Sequence, residues 1–260
     1  MADAAAILSA LRRSYGLARS CLIYRANVPK LRRARLFYRQ FVAPGDLCFD
    51  VGAHLGDRTA TFLKLGARVV AVEPQPVLLA RLAQRFGGDP RVTLVPAALG
   101  AARGRAELAV DPLNLTIATL SPDFIREAGA SPGFRGARWC ERIAVEVLTL
   151  DGLITAHGVP AFCKIDVEGY EDRVLEGLSQ PLPALSLEYL PAALEPALAA
   201  IARLGRLGTY RFNRSPGESL RLPSMRWRGA AEMMAELRQI APEEGAGDVY
   251  ALLDAREPSR

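Results

Sequence analysis

Apolar residues along this chain gather in short continuous runs bounded by turn signals, which is how strands buried on both faces read. Residues 48–51 (CFDV) form one such run and residues 69–72 (VVAV) another, with a helix-like stretch at 57–66 between them. This order predicts strand, helix, parallel strand. A third run begins at Phe162 and leads into charged residues, with a helix expected to follow and run to about Ser179. Residues 185–189 read as a strand ending on an acid and an aromatic, and 192–204 as a helix. Residues 208–212 and 248–253 read as a closing strand pair, joined by a long segment containing Pro216, Gly217 and Pro223 and a helix near 230–240. One stretch breaks the rhythm. Residues 111–142 form a Pro- and Gly-interrupted insertion with Asn114, Thr116, Thr119, Phe124, Phe134 and Trp139. Long irregular segments inside a compact α/β unit tend to be functional, so this one is the expected substrate-facing lid.

The first two runs carry the most specific chemistry. The strand at 48–51 enters a turn punctuated by Gly52 and Gly56, and the second strand ends on Glu73-Pro74. A right-handed crossover sets that turn and that acid side by side at the carboxyl ends of neighbouring strands. Glycines allow a backbone to approach a ligand closely. Glu73 follows Gly52 by 21 residues, near the spacing of roughly 20 at which a carboxylate accepts ribose hydroxyls. Read blandly, the same residues make a plain βαβ crossover with a glycine turn.

What the turn lacks narrows the ligand. A dinucleotide fingerprint starting at Gly52 requires glycines where this chain has His54 and Asp57, and a phosphate-cradling loop fails at the same positions. Asp50 and Asp57 also flank the turn, an unfavourable setting for a pyrophosphate. S-adenosylmethionine carries no phosphate, and its sulfonium and ammonium groups suit a carboxylate-lined pocket. An NAD-dependent reductase is the rival enzyme reading, disfavoured by the glycine spacing.

A second cluster is Phe162-Cys163-Lys164-Ile165-Asp166-Val167-Glu168-Gly169-Tyr170-Glu171. A strand that emits Lys164, Asp166 and Glu168 at period two sets all three on one face or edge as it ends. Ionisable groups gathered at a strand end are costly unless they are used. Asp166 could receive the ligand's ammonium group, ligate a metal or orient a hydroxyl; Lys164, with a lowered pKa, could take a proton. Glu168 and Glu171 can equally be first-turn acids favoured by the helix dipole.

Taken with these motifs, FDVGAHLG, AVEPQP, VPAALGAARGRAEL, VLTLDGL and KIDVEGYEDRVLEGL occur in an order and spacing that resembles the FkbM family of S-adenosylmethionine-dependent methyltransferases over residues 46–188. The resemblance implies an α/β, Rossmann-like class I methyltransferase fold: a mostly parallel seven-stranded sheet with helices on both faces and an antiparallel last strand. It implies methyl transfer, usually to oxygen. By position, Asp50 and the turn Gly52, Ala53, His54 and Gly56, with Thr59, would hold the methionine part; Glu73 and Pro74 the ribose; and residues 97–100, including Ala98 and Leu99, the adenine side. Asp166 would also face the cofactor. The family usually has Asn at the position of His54, and an imidazole there makes affinity sensitive to pH near neutrality. The hydroxyl proton of the acceptor falls to Lys164, Asp166 or Glu188. A divalent metal such as magnesium on Asp166 and Glu188 is compatible with hard oxygen ligands, but no third ligand lies nearby in sequence.

Composition changes the picture little. The 260 residues are 50% hydrophobic, enough for one substantial core. Neither an apolar run long enough to span a bilayer nor a signal-peptide pattern is evident, so a cytoplasmic enzyme is expected. Cys21, Cys48, Cys140 and Cys163 form no CxxC pair and are expected as reduced thiols, with Cys48 and Cys163 on central strands. Charge, however, is uneven. Residues 1–40 hold nine Lys or Arg, including Arg12, Arg13, Arg19 and Arg25, against Asp3, which gives this segment +8 and the remainder −3. The expected organisation is a basic helical segment at 1–44, a methyltransferase domain at 45–255 and a tail at 256–260. The basic segment could touch a membrane surface, a nucleic acid or an acidic carrier. Leu31, Leu36, Phe37, Tyr38 and Phe41 instead offer an apolar face for docking over the cofactor cleft or on a second copy in a homodimer. The expected partner is a small-molecule acceptor. A basic-armed nucleic-acid module with a vestigial pocket is the rival without enzymatic activity, and none of its signature motifs is present.

Overall fold

A computed structural model of the chain describes residues 15–16, 28–129 and 131–254. Arg12, Arg13, Arg19, Cys21, Arg25 and the tail at 256–260 lie outside the described residues. In chain order the elements begin with helix α1 (Val28–Tyr38), strand β1 (Leu47–Val51), α2 (Asp57–Lys64), β2 (Arg68–Val72), α3 (Pro76–Phe86) and β3 (Val92–Val95). There follow β4 (Ala98–Leu99), β5 (Gly104–Asp111), β6 (Asn114–Thr119), α4 (Pro122–Gly129), β7 (Glu141–Leu148), α5 (Leu150–His157) and β8 (Phe162–Ile165). The last are α6 (Glu171–Glu176), β9 (Ala184–Tyr189), α7 (Glu195–Leu207), β10 (Tyr210–Pro216), α8 (Ala230–Leu237) and β11 (Gly247–Leu253).

Seven strands form one sheet in the order β10-β11-β9-β8-β1-β2-β3. The pairs from β3 through β9 are parallel, while β11 runs antiparallel between β9 and β10. The central strands β1 and β8 are buried along their whole length, which explains their unbroken apolar runs. The expected mostly parallel seven-stranded sheet with an antiparallel last strand is therefore the observed one. The helix expected to end near Ser179 is shorter and stops at Glu176, where Gly177 follows.

Residues 111–142 are not irregular. They supply β6, α4 and a short 3-10 turn, and β6 closes a second, four-stranded sheet of order β4-β7-β5-β6. Its long pair, β5 with β7, joins Gly104 to Val147 and Val110 to Glu141. The aromatic residues of the insertion pack on one another: the Phe124 ring meets Phe134 at 5.6 Å and Trp139 at 6.2 Å between centroids. Trp139 Nε1 donates to the Ile117 carbonyl at 2.6 Å, so the segment is pinned to β6.

Helix α1 also has a partner within the chain. Ala34, Phe37 and Tyr38, spaced for one helical face, and Val42 beyond its end are buried against the sheet. Tyr38 meets Phe62 edge-on at 5.1 Å and Phe162 at 5.5 Å, and Phe41 stacks on Tyr250 at 5.5 Å. Phe37, Tyr38 and Phe41 of the expected apolar face thus pack on the sheet itself, while Leu36 is exposed.

Tyr38 is wholly buried, and its hydroxyl shares a hydrogen bond with that of Tyr250 at 3.3 Å. Tyr38→Ala should lower the unfolding free energy by about 3 to 5 kcal/mol, the usual cost of emptying a buried aromatic site, whereas Tyr38→Phe should cost about 1 kcal/mol. Denaturant titrations of both variants check this.

Candidate functional site

The carboxyl ends of β1, β2 and β8 open into a cavity. Its floor comes from Gly52 and His54 after β1, Glu73, Pro74 and Gln75 after β2, and Asp166, Val167 and Glu168 after β8. Ala97, Ala98 and Leu99 line one side. The second sheet closes another with Leu108, Leu115, Thr116 and Ala118, beside Leu120 and Tyr170. Of the residues expected from the sequence, Gly52, His54, Glu73, Pro74, Ala98, Leu99 and Asp166 meet there. Asp50, Ala53, Gly56, Thr59, Lys164 and Glu188 do not line it, although Glu188 comes close to Asp166 and Glu168 from β9.

The two glycines of the turn are both required by packing. Gly52 has φ +78, and a Cβ on it would lie 1.9 Å from the Asp166 carbonyl oxygen. Gly56 has φ +80, and its Cβ would strike the Phe86 ring at 2.4 Å. Each glycine is therefore demanded by its packing against a neighbouring strand or helix. Asp50 also has a partner within the fold. It is buried, its Oδ2 accepts from Thr59 Oγ1 at 2.5 Å, and burial raises its pKa against that bond. The pair ties β1 to α2.

Glu73 is 3% exposed and joins two turns. Its Oε2 accepts from the His54 backbone N–H and its Oε1 from that of Gln75, each at 2.9 Å. Burial pushes its carboxyl up to about 7, against the pull of these two bonds. His54 carries a positive φ of 50, and burial pushes its imidazole down to about 4, although Asp166 and Asp57 pull the other way. The expectation that His54 titrates near neutrality is corrected: the ring is neutral there, and Glu73 is the group beside the turn that changes charge.

Beyond Asp166 the carboxylates crowd. Oxygens of Asp166, Glu168 and Glu188 lie within 4.8 Å of one another. Glu168 is in the left-handed region, φ 56, followed by Gly169 at φ 81, whose Cβ would strike Phe124 at 2.6 Å. Its carbonyl accepts from Thr119 Oγ1 at 2.7 Å. The insertion thus holds the turn that presents Glu168, which lies before α6 rather than in its first turn. Burial first, then neighbouring carboxylates, push the pKa values of Glu168 and Glu188 well above the ordinary carboxyl range. Glu171 is the first-turn acid of α6; its Oε1 accepts from the Val167 N–H at 3.1 Å, and burial pushes it up to about 7.

Lys164 overturns its expected role as a proton acceptor. Its side chain is 3% exposed, its Nζ donates to Asp248 Oδ1 at 2.7 Å, and it pairs with Asp166 Oδ2 at 3.2 Å. Burial alone would lower its pKa, but Asp166 and Asp248 hold it well above the ordinary lysine value. It stays charged. Tyr250 donates to the other Asp248 oxygen at 3.2 Å, so the chain Tyr38, Tyr250, Asp248, Lys164, Asp166 runs from α1 to the cavity. Lys164→Ala should cost about 3 to 5 kcal/mol, because it strands two carboxylates. In Lys164→Met/Asp248→Leu much of that loss should return, and thermal unfolding of the single and double variants measures it.

Gln75, Leu115, Ala118, Leu120 and the role of Glu168 were not singled out by sequence. The alternation of LTIATL at residues 115–120 is a strand signal that could have placed β6, but nothing local shows which sheet it joins. Cys48 and Cys163 are buried free thiols as expected, and Cys140 is exposed. Among the described residues no helix is long and apolar enough to cross a membrane.

Two solved structures similar to this chain are a precorrin-6y C5,15-methyltransferase from Geobacter metallireducens and a TehB-like SAM-dependent methyltransferase from Corynebacterium glutamicum. The first is 10% identical with a TM-score of 0.45, covering 88% of each chain. The second is 10% identical with a TM-score of 0.47, covering 94% of this chain and 99% of that one. Among curated proteins none matches. The family described as Methyltransferase FkbM domain matches residues 50–195, more than half of the chain and the stretch that carries Glu73, Asp166 and Glu188. The chain therefore belongs to the FkbM family of S-adenosylmethionine-dependent methyltransferases.

Proposed function

We propose that this methyltransferase acts on a hydroxyl oxygen of a small molecule, natural product or sugar. The observation that carries the reading is the division of the cavity into two chemistries. Near β2 it is apolar, with Glu73 and Gln75 as acceptors; near β8 it is crowded with carboxylates. The residues fit S-adenosylmethionine on that ground. Pro74, Leu99 and Leu115 offer apolar surface to a nucleoside, Glu73 offers a carboxylate to ribose hydroxyls, and Asp166 offers negative charge to the cationic end. When bound, the cofactor supplies an electrophilic methyl group that passes to the acceptor oxygen, leaving a thioether as the hydroxyl proton departs.

The protein's share is alignment and removal of that proton. With Lys164 charged, the proton passes to a carboxylate. Glu188 is the best-suited acceptor, since burial and its neighbouring carboxylates raise its affinity for a proton. Asp166, paired with Lys164 at 3.2 Å, faces the cofactor. A small acceptor is favoured over a polymer by the enclosure of the cavity under the second sheet, and the 111–142 insertion takes the part of a fixed wall, with α4 as the segment able to act as a lid.

Glu188→Gln should lower turnover about 100-fold or more, with the dissociation constant for S-adenosylhomocysteine changed less than about threefold, as expected of a group used in the transition state. Full activity in that variant, with any hydroxylated acceptor, would remove the base assignment. The same assay settles metal use. Asp166, Glu168 and Glu188 are the described residues that could group around a divalent cation; loss of turnover on chelation, restored by magnesium, would make them ligands, whereas indifference leaves them to proton chemistry.

Affinity should also depend on pH in a stated direction. The ionised form of Glu73 is the better acceptor for ribose hydroxyls, and its pKa lies at about 7. Binding should therefore tighten from pH 6 to pH 8, with a slope approaching tenfold per pH unit below 7. Glu73→Gln should flatten the profile and cost about 1.5 to 3 kcal/mol at pH 8. Calorimetry with S-adenosylhomocysteine at three pH values checks both.

A further inference from the structure

Gln75 sits two residues beyond Glu73, at the residue that caps the start of α3, yet its side chain makes no capping bond. It is 4% exposed and lines the cavity. Its backbone N–H donates to Glu73 Oε1, and its Nε2 donates to the Leu115 carbonyl of β6 at 2.9 Å, across 40 residues of sequence. A carbonyl only accepts, so that bond fixes which way round the amide lies. The other amide atom, Oε1, is buried and has no hydrogen-bond partner among the described residues. Buried acceptors without partners are rare and ask for an explanation.

We infer that Gln75 links the nucleoside site to the second sheet: its Oε1 accepts a hydrogen bond from a donor on the nucleoside part of the cofactor, while its Nε2 holds the β6 backbone. The inference rests on the S-adenosylmethionine reading. Two donors share the required chemistry, a ribose hydroxyl and the exocyclic amine of adenine. Either would complete the amide, and the consequence reaches beyond affinity. Thr116 and Ala118 of β6 line the same cavity as Gln75. A nucleoside that anchors Gln75 therefore also steadies the wall against which the methyl acceptor rests, and the cofactor should bind first.

The test uses the full chain, with S-adenosylhomocysteine as the probe. Gln75→Met keeps the length of the side chain and removes both amide functions; by calorimetry it should bind the probe about tenfold more weakly, the loss of one hydrogen bond. The source of the donor is read from two analogues, one with hypoxanthine in place of adenine and one lacking a ribose hydroxyl. Wild type and Gln75→Met should bind one of these alike, and that one lacks the donor Gln75 meets. Hydrogen exchange reads the second half: the probe should protect the amides of residues 114–119 in the wild type and not in Gln75→Met. Gln75→Glu, which keeps an acceptor but not the donor to Leu115, serves if Gln75→Met folds poorly. It should hold the probe within about threefold of wild type while losing that protection. Wild-type affinity in Gln75→Met, or equal protection of 114–119 in both proteins, overturns the proposal while leaving the cofactor reading intact. No binding of the probe to the wild type would overturn the cofactor reading and this proposal with it.

Discussion

The space that a Cβ on residue 52 would need is filled by the Asp166 carbonyl oxygen, 1.9 Å away, and most of the site follows from that closeness. The Gly52 and Ala53 N–H groups both donate to the Val72 carbonyl at 3.0 Å, and the Asp166 N–H donates to the Val51 carbonyl at 3.0 Å. Three strand ends are thereby drawn to one point without any side chain between them. Only a residue free to take φ +78 can turn the chain there. With the backbone fixed, Glu73 and Asp166 have little choice of position, and the cavity between them is a product of the sheet rather than of mobile loops.

Polar groups behind this junction hold it rigid at some electrostatic cost. Asp50 is buried in the middle of β1 and Lys164 stands beside it in register on β8. Buried charges are tolerable only when paired, and Lys164 is paired twice, with Asp166 at 3.2 Å and Asp248 at 2.7 Å. Because Asp248 belongs to the last strand and Tyr250 reaches from it to Tyr38, the first described helix and the antiparallel closing strand both bear on one carboxylate of the site. A helix that seemed an appendage in the sequence is thus part of what orients Asp166.

The parts legible in the sequence are those whose cause is local. The runs of β1, β2 and β8, the acid closing β2 and the carboxylates leaving β8 could be read because a parallel central strand must be apolar on both faces and must end where polarity returns. What could not be read depends on partners far along the chain. Lys164 looks like a candidate base until Asp248, 84 residues later, is set beside it. The second sheet hides for a similar reason: β7 alternates between exposed and partly buried positions along much of its length, and its pairing with β5 spans the whole insertion. Gln75 has no signal of its own, since its role comes from the Leu115 carbonyl, 40 residues away.

Two glutamates show how position, not residue type, sets the chemistry of a carboxylate. Glu73 is buried among strand ends, but two backbone N–H groups point at its oxygens and partly offset desolvation, which leaves its pKa at about 7. It can therefore exist ionised at neutral pH and accept hydroxyl protons in hydrogen bonds without gaining a proton itself. Glu188 is half-buried beside Glu168 and Asp166, whose like charge adds to desolvation and pushes its pKa in the same direction. Negative charge added there meets negative charge already present, so a cation brought near Asp166 relieves all three carboxylates at once. A neutral thioether relieves them less than a sulfonium does. On this arrangement the site should hold its cofactor more tightly before methyl transfer than after, and the same imbalance would favour release of the spent cofactor.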